Sequence, residues 1–119
     1  MGTPIYPFMS TPVTWLSPEA SRADLAVIIV GYNVRDLTVS NIEALLKSEG
    51  PIKAQMILVD NNSTDGTAEA VKSRFSEVFV IDNRYNTGFA HAVNQGIAAS
   101  RARHVLLLNP DMRVTKDSL

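Results

Sequence analysis

The chain has 119 residues, enough for one compact domain with a single core. Apolar residues make up 45% and charged residues 19%, a globular composition that excludes a disordered chain. A net charge of −1 gives no electrostatic footprint for nucleic acid or an anionic membrane, and the absence of cysteine excludes disulfides and thiolate metal sites. No apolar run approaches the roughly 20 residues that span a bilayer. The N-terminus lacks a basic stretch followed by an apolar one, so no signal peptide is read. With the missing cysteine, this makes a cytoplasmic location the expectation.

Residues 1–23 differ in composition from the remainder. They hold Pro4, Pro7, Pro12 and Pro18, with Ile5, Tyr6, Phe8, Met9, Trp15 and Leu16 scattered between them at no sustained period. This reads as an arm, extended or irregular, whose aromatics pack on the domain or on a partner. Residues 24–119 form the domain proper.

Leu25-Ala26-Val27-Ile28-Ile29-Val30 is continuous, apolar and β-branched, which predicts a central strand ending at Gly31-Tyr32-Asn33. Asp36 is placed to cap a helix running to about Glu49, with Val39, Ile42 and Leu45 at helical spacing and Gly50-Pro51 as the stop. Gln55 to Val59 is the second strand, ending at Asp60-Asn61-Asn62-Ser63-Thr64-Asp65-Gly66-Thr67. Asp65 or Thr67 caps a second helix with Ala68, Val71 and Phe75 as its stripe. Val78 to Ile81 is a third strand, Asn83 to Thr87 a polar loop, and Gly88 to about Arg101 a third helix with Phe89, Ala92, Val93, Gly96 and Ile97 on one face.

Val105-Leu106-Leu107-Leu108 follows, an apolar run without polar interruption, and stops at Asn109-Pro110-Asp111. The run predicts a strand buried on both faces at the centre of the sheet, ended by a proline that cannot continue a ladder. Thr115 to Leu119 reads as the beginning of a further helix. Alternation of strands and helices predicts an α/β fold of three layers, a mostly parallel sheet with helices on both faces.

Polar residues gather where these strands end: Tyr32 and Asn33, Asp60 to Asp65, Asn83 to Asn86, then Asn109 and Asp111. A parallel sheet brings those ends to one edge, where ligands bind in open α/β sheets. The loops of the other edge are plainer. One glycine after the first strand excludes a dinucleotide-binding loop, and no P-loop is present. Phosphate would then be held through a divalent cation, with Asp111 the obvious ligand. Asp60, an acceptor only when ionised, suits a base N–H or ribose hydroxyls. The plain alternatives are that Asp60 and Asp65 build an Asx turn, that Asp111 belongs to a turn, and that Gly88 and Gly96 serve helix entry and close packing on the sheet. A phosphorylation-responsive receiver domain would want an acidic pair after the first strand, where Gly-Tyr-Asn stands.

Four segments in order carry a resemblance: Val27 to Asn33, Val59 to Thr67, Asn86 to Ile97, and Leu106 to Asp111. Over about residues 25–115 the chain closely resembles glycosyltransferase family 2, particularly its rhamnosyltransferase-like members. The resemblance implies a GT-A fold, a nucleotide-diphosphate sugar donor carrying dTDP or UDP, and inverting transfer aided by Mg²⁺ or Mn²⁺. By position, Tyr32 and Asn33 would line the nucleotide pocket, and Asp60, followed by Asn61, would contact the base. Asn86, Gly88 and Asn94 would shape the nucleotide side of the cleft. Asn109-Pro110-Asp111 takes the place of the family's Asp-x-Asp. Asp111 would bind the metal, and Asn109, in place of an aspartate, would reach ribose or a metal-bound water.

In that family the acceptor site and the catalytic base follow the metal loop, and this sequence ends eight residues beyond Asp111. It is therefore read as a truncated donor-binding half with no catalytic base of its own, expected to transfer little or no sugar alone. The competing expectation is a non-catalytic nucleotide-binding or self-associating module, a homo-oligomer formed through an exposed sheet edge or the N-terminal arm.

Overall fold

The computed structural model describes residues 12–17 and 22–109. Five strands and three helices follow one another as β1 (Thr14–Trp15), β2 (Ala23–Gly31), α1 (Arg35–Leu46), β3 (Lys53–Asp60), α2 (Thr67–Arg74), β4 (Val78–Asp82), α3 (Phe89–Ala99) and β5 (Ala102–Leu108). All four strand pairings are parallel. β3 pairs with β2 along one edge. Its other edge is shared, with β1 opposite Lys53 and Ala54 and β4 opposite Met56 to Asp60.

The strand order β4-β3-β2-β5 places successive strands on one side of β2 and then returns to its other side. The reversal lies between β2 and β5, and a doubly wound sheet opens a crevice there, at its carboxyl edge.

Alternation along the strands sorts the side chains into two cores. Val27, Ile29, Met56 and Leu58 face α1 and α2, meeting Val39, Ile42, Leu45, Val71 and Phe75. Ile28, Val30, Ile57 and Val59 face α3 and meet Ala92. Helices thus cover both faces of a parallel sheet, as the alternation of elements predicts. Gly96 sets how closely α3 approaches, since a Cβ there would lie 2.6 Å from Ile28 Cγ2.

Five expectations need correction. The apolar strand Val105 to Leu108 is not central. β5 pairs only with β2 among the described residues, and Val105, Leu106 and Leu107 are 43%, 37% and 41% exposed. The run is apolar enough to be covered on both faces, but among the described residues only Leu108 of it is buried, in the larger core. Asp36 does not cap α1. The cap position is Val34, with no side-chain bond, and Asp36 stands exposed in the first turn against Arg35. α1 ends at Leu46, short of Glu49, because Ser48 and Glu49 are recruited by the N-terminal segment: the Val13 N–H donates to Ser48 O, and Pro12 bridges Glu49. Part of the arm is therefore a regular element, β1, with Trp15 half-buried against the larger core. Finally, Phe89 and Ile97, expected on the packed face of α3, are exposed.

Candidate functional site

Ladder bonds continue past the strand ends and hold the departing loops side by side. The Asn61 N–H donates to Gly31 O at 2.8 Å, and the Asn83 N–H donates to Asp60 O at 2.9 Å. Three loops therefore leave one edge in register, and Asn109 stands at the end of β5 on the far side of the crevice. Asp111 lies outside the described residues, as do residues 1–11 of the arm and the helix expected from Thr115.

Asp60 closes β3 and is 1% exposed. Ser63 compensates, its N–H donating to Oδ2 at 3.0 Å and its hydroxyl to Oδ1. Burial pushes the carboxyl above its ordinary value. Ser63's two hydrogen bonds pull the other way, and the neighbouring charges of Asp82 and Asp65 add to the rise. The Ser63 bonds form an Asx-type turn, and each carboxylate oxygen keeps a second lone pair for a further donor.

Asn33 and Asn61 spend their side chains on the scaffold. Asn33 adopts the left-handed conformation (φ 54°) that asparagine tolerates better than most residues. Its Oδ1 accepts from the Thr64 N–H at 2.7 Å and from the Thr64 hydroxyl, while its own N–H donates to Ser63 Oγ at 2.9 Å. The loop after β2 is thereby pinned to the loop after β3. Asn61, also buried, pins the loop after β4: Oδ1 accepts from the Thr87 N–H and hydroxyl, each at 3.1 Å, and Nδ2 donates to Gly88 O at 3.2 Å.

Asp65 joins two helix starts. Its Oδ2 accepts from the Arg35 N–H at 3.0 Å, and its Oδ1 from the Thr67 N–H at 3.2 Å and the Thr67 hydroxyl. Two backbone donors, one at the start of each helix, are met by one carboxylate. Burial raises this acid, but the bonds from Thr67 and Arg35 outweigh it and hold it below the ordinary value. Its role is structural, as the capping alternative anticipates.

Tyr32 is half exposed, one residue past the end of β2. Asn86 Oδ1 accepts from the Gly88 N–H at 2.9 Å, and Gly88 (φ 86°, ψ 163°) takes a conformation essentially restricted to glycine as it leads into α3. Asn94 lies on the exposed side of α3. Tyr32, Asn33, Asp60, Asn61, Asn86, Gly88 and Asn109 thus belong to one sheet edge, whereas Asn94 is carried a turn into α3. The sequence places Asn83 among the polar residues of this edge without giving it a role and offers no signal for Gln95; the two exchange two hydrogen bonds beside Asn61. A half-buried glutamine one turn into a helix gives no signal until its partner is known.

Among the described residues no cluster of three metal-ligating side chains exists. The edge carries three carboxylates, and the charges of Asp82 and Asp65 make Asp60 costlier to ionise. It would repel a bare diphosphate.

A doubly wound parallel sheet whose carboxyl edge carries loops rich in carboxylate and amide groups, with neither a dinucleotide-binding loop nor a P-loop, defines an open α/β protein with its candidate site at that edge. The family model for "Glycosyl transferase family 2" matches residues 26–119, and the chain belongs to that family. Over 98 residues it is 32% identical to the putative teichuronic acid biosynthesis glycosyltransferase TuaG of Bacillus subtilis, covering 80% of this chain and 38% of that protein. It is 33% identical over 99 residues to a poly-β-1,6-N-acetyl-D-glucosamine synthase of Staphylococcus aureus, covering 79% of this chain and 23% of that one.

Among solved structures, S. aureus TarS 1–349 in complex with UDP superposes with a TM-score of 0.71 at 22% identity, over 80% of this chain and 29% of that one. The mannosyltransferase PcManGT of Pyrobaculum calidifontis, in complex with GDP-Man and Mn²⁺, gives 0.69 at 23% identity, over 87% and 32%. These likenesses show the GT-A fold. The chain spans well under half the length of these relatives.

Proposed function

We propose that this chain is the donor-binding region of a glycosyltransferase, taking a nucleotide-diphosphate sugar into the crevice between the ends of β2 and β5. The observation that carries the reading is Asp60. It is a buried carboxylate at a strand end, braced by Ser63 and flanked by two loops that Asn33 and Asn61 hold in place. Such a group is an acceptor fixed in a dry site, suited to a base N–H or ribose hydroxyls.

The divalent cation fits the chemistry of this edge. An acidic rim needs a cation before it can hold a diphosphate, and Mg²⁺ or Mn²⁺ binds through one or two carboxylates completed by substrate phosphates and water. Asp111 would hold it, with Asn109 beside it at the end of β5. The cation would supply charge neutralisation of the diphosphate leaving group. In this reading the donor is a dTDP- or UDP-sugar and transfer inverts the anomeric carbon. The base that deprotonates the acceptor hydroxyl is supplied from outside these residues, so the chain alone transfers little or no sugar.

Calorimetric titration with UDP, dTDP and GDP, each with and without Mn²⁺, tests this. Binding that requires Mn²⁺ and is lost in Asp111→Ala is the expected result. Absence of binding to all three would remove the donor-site reading.

A second reading has an observation of its own. β5 shows one unpaired edge among the described residues and exposes Val105, Leu106 and Leu107. An apolar edge strand is a template for another chain. We therefore expect concentration-dependent self-association in sedimentation velocity, reduced by Leu106→Lys. A strictly monomeric wild type would dismiss it.

A further inference from the structure

The loop after β4 reaches the cleft at Thr87 and Gly88, and a chain of amides standing behind it ends on α3. The order of those amides is set by backbone chemistry. The Thr87 N–H can only donate and Gly88 O can only accept, so Asn61 must turn Oδ1 toward Thr87 and Nδ2 toward Gly88. Asn61 Oδ1 then requires a donor from its remaining neighbour, and Asn83 Nδ2 supplies it at 3.1 Å. With its amide so turned, Asn83 presents Oδ1 and its second N–H to Gln95. Gln95 answers both: its Nε2 donates to Asn83 Oδ1 at 2.9 Å, and its Oε1 accepts from Asn83 Nδ2 at 2.8 Å. Each amide in the series has a single orientation that satisfies it.

We propose that Asn83 and Gln95 are positioning residues for the nucleotide cleft: their reciprocal amide pair locks the Asn61 side chain, and through it the Thr87–Gly88 turn, in the geometry that receives the donor. The proposal rests on the donor-binding reading above. Neither residue needs to touch the nucleotide. Gln95 sits on α3 and Asn83 just past β4, so the pair also ties the helix that covers one sheet face to the strand beside β3. This chain of amides is one of the holds on Gly88: its carbonyl accepts from Asn61 Nδ2 as well as from the Ala92 N–H, and its own N–H donates to Asn86 Oδ1.

Gln95→Met keeps the length and helix preference of the side chain and removes both bonds. Asn83→Asp keeps the shape but turns the donors facing Asn61 and Gln95 into acceptors. Two readouts are taken on each variant: hydrogen exchange at the Thr87 amide, and the Kd for UDP, dTDP and GDP with Mn²⁺. Both variants are expected to speed Thr87 exchange and to weaken the nucleotide that wild type binds by about five-fold or more, the change that follows loss of one hydrogen bond. Amides of β2 and β3 should keep wild-type exchange. A purely structural role would lower the melting temperature and leave Kd unchanged well below it, and that result overturns the proposal. So does unchanged Thr87 exchange in a variant whose wild-type parent binds nucleotide. If wild type binds none of the three nucleotides, the donor reading fails and the link from lock to affinity fails with it, while Thr87 exchange still decides whether the lock exists.

Discussion

Asp60 is an acid placed where charge is costly and kept there by two bonds from one serine. Its folded pKa lies above the ordinary value of 3.8, so the folded state holds this proton after the unfolded chain has released it. Stability from this group is complete below about pH 3.8 and is lost as pH rises through the folded value. Asp60→Asn removes the titration. The stability of that variant relative to wild type should therefore rise as pH increases above about 3.8 and level off once the folded-state carboxyl has ionised. Paired thermal melts across that range check it, and a difference that falls with pH would contradict the assignment.

At this same scale the sequence shows which residues gather at the site, but not how they are used. Tyr32, Asn33, Asp60, Asn61, Asn86 and Gly88 are found together because strand ends converge in any parallel sheet. The side chains of Asn33 and Asn61 turn inward to hold neighbouring loops. That could not be read in advance, because an asparagine after a strand serves a turn, a ligand or a neighbouring loop with the same local sequence.

α3 shows how one small residue governs the packing of a whole element. Gly96 brings the helix against Ile28, and a methyl group added there meets Ile28 Cγ2 at 2.6 Å, within a side chain that is itself fully buried. Gly96→Ala gains helix propensity of about 1 kcal/mol, but the overlap forces the helix away from β2. We expect a net loss of about 1–3 kcal/mol in denaturant-induced unfolding. A variant as stable as wild type would mean that the contact is looser than described.

Element identity and order follow from periodicity: the stripe Ala68, Val71, Phe75 is buried as its spacing predicts. Boundaries do not. α1 stops at Leu46 because Val13 takes the Ser48 carbonyl, and its first turn is met by Asp65 from a different loop instead of by Asp36. Both outcomes are tertiary, decided by residues some 30 positions away, and no local pattern encodes them.

For the molecule as a whole, the three-layer arrangement is legible because strands alternate with helices, and the carboxyl edge is marked as the candidate site by its polarity. The position of β5 was misjudged for an identifiable reason. A run such as Val105 to Leu108 reports that both its faces are apolar, which is a property of the strand, and not that neighbours cover them, which is a property of the assembly. The family resemblance is confirmed at the level of glycosyl transferase family 2.

The central claim is that the carboxyl edge of the sheet receives a nucleotide. Amide chemical-shift mapping tests it most directly, with the nucleoside diphosphate that binds best titrated in the presence of Mg²⁺. The account predicts shifts confined to residues 31–33, 60–63, 86–88, 109 and 111, with residues 48–52 and 100–102 at the opposite edge unmoved. Shifts centred on the opposite edge, or spread evenly over the sheet, would contradict it.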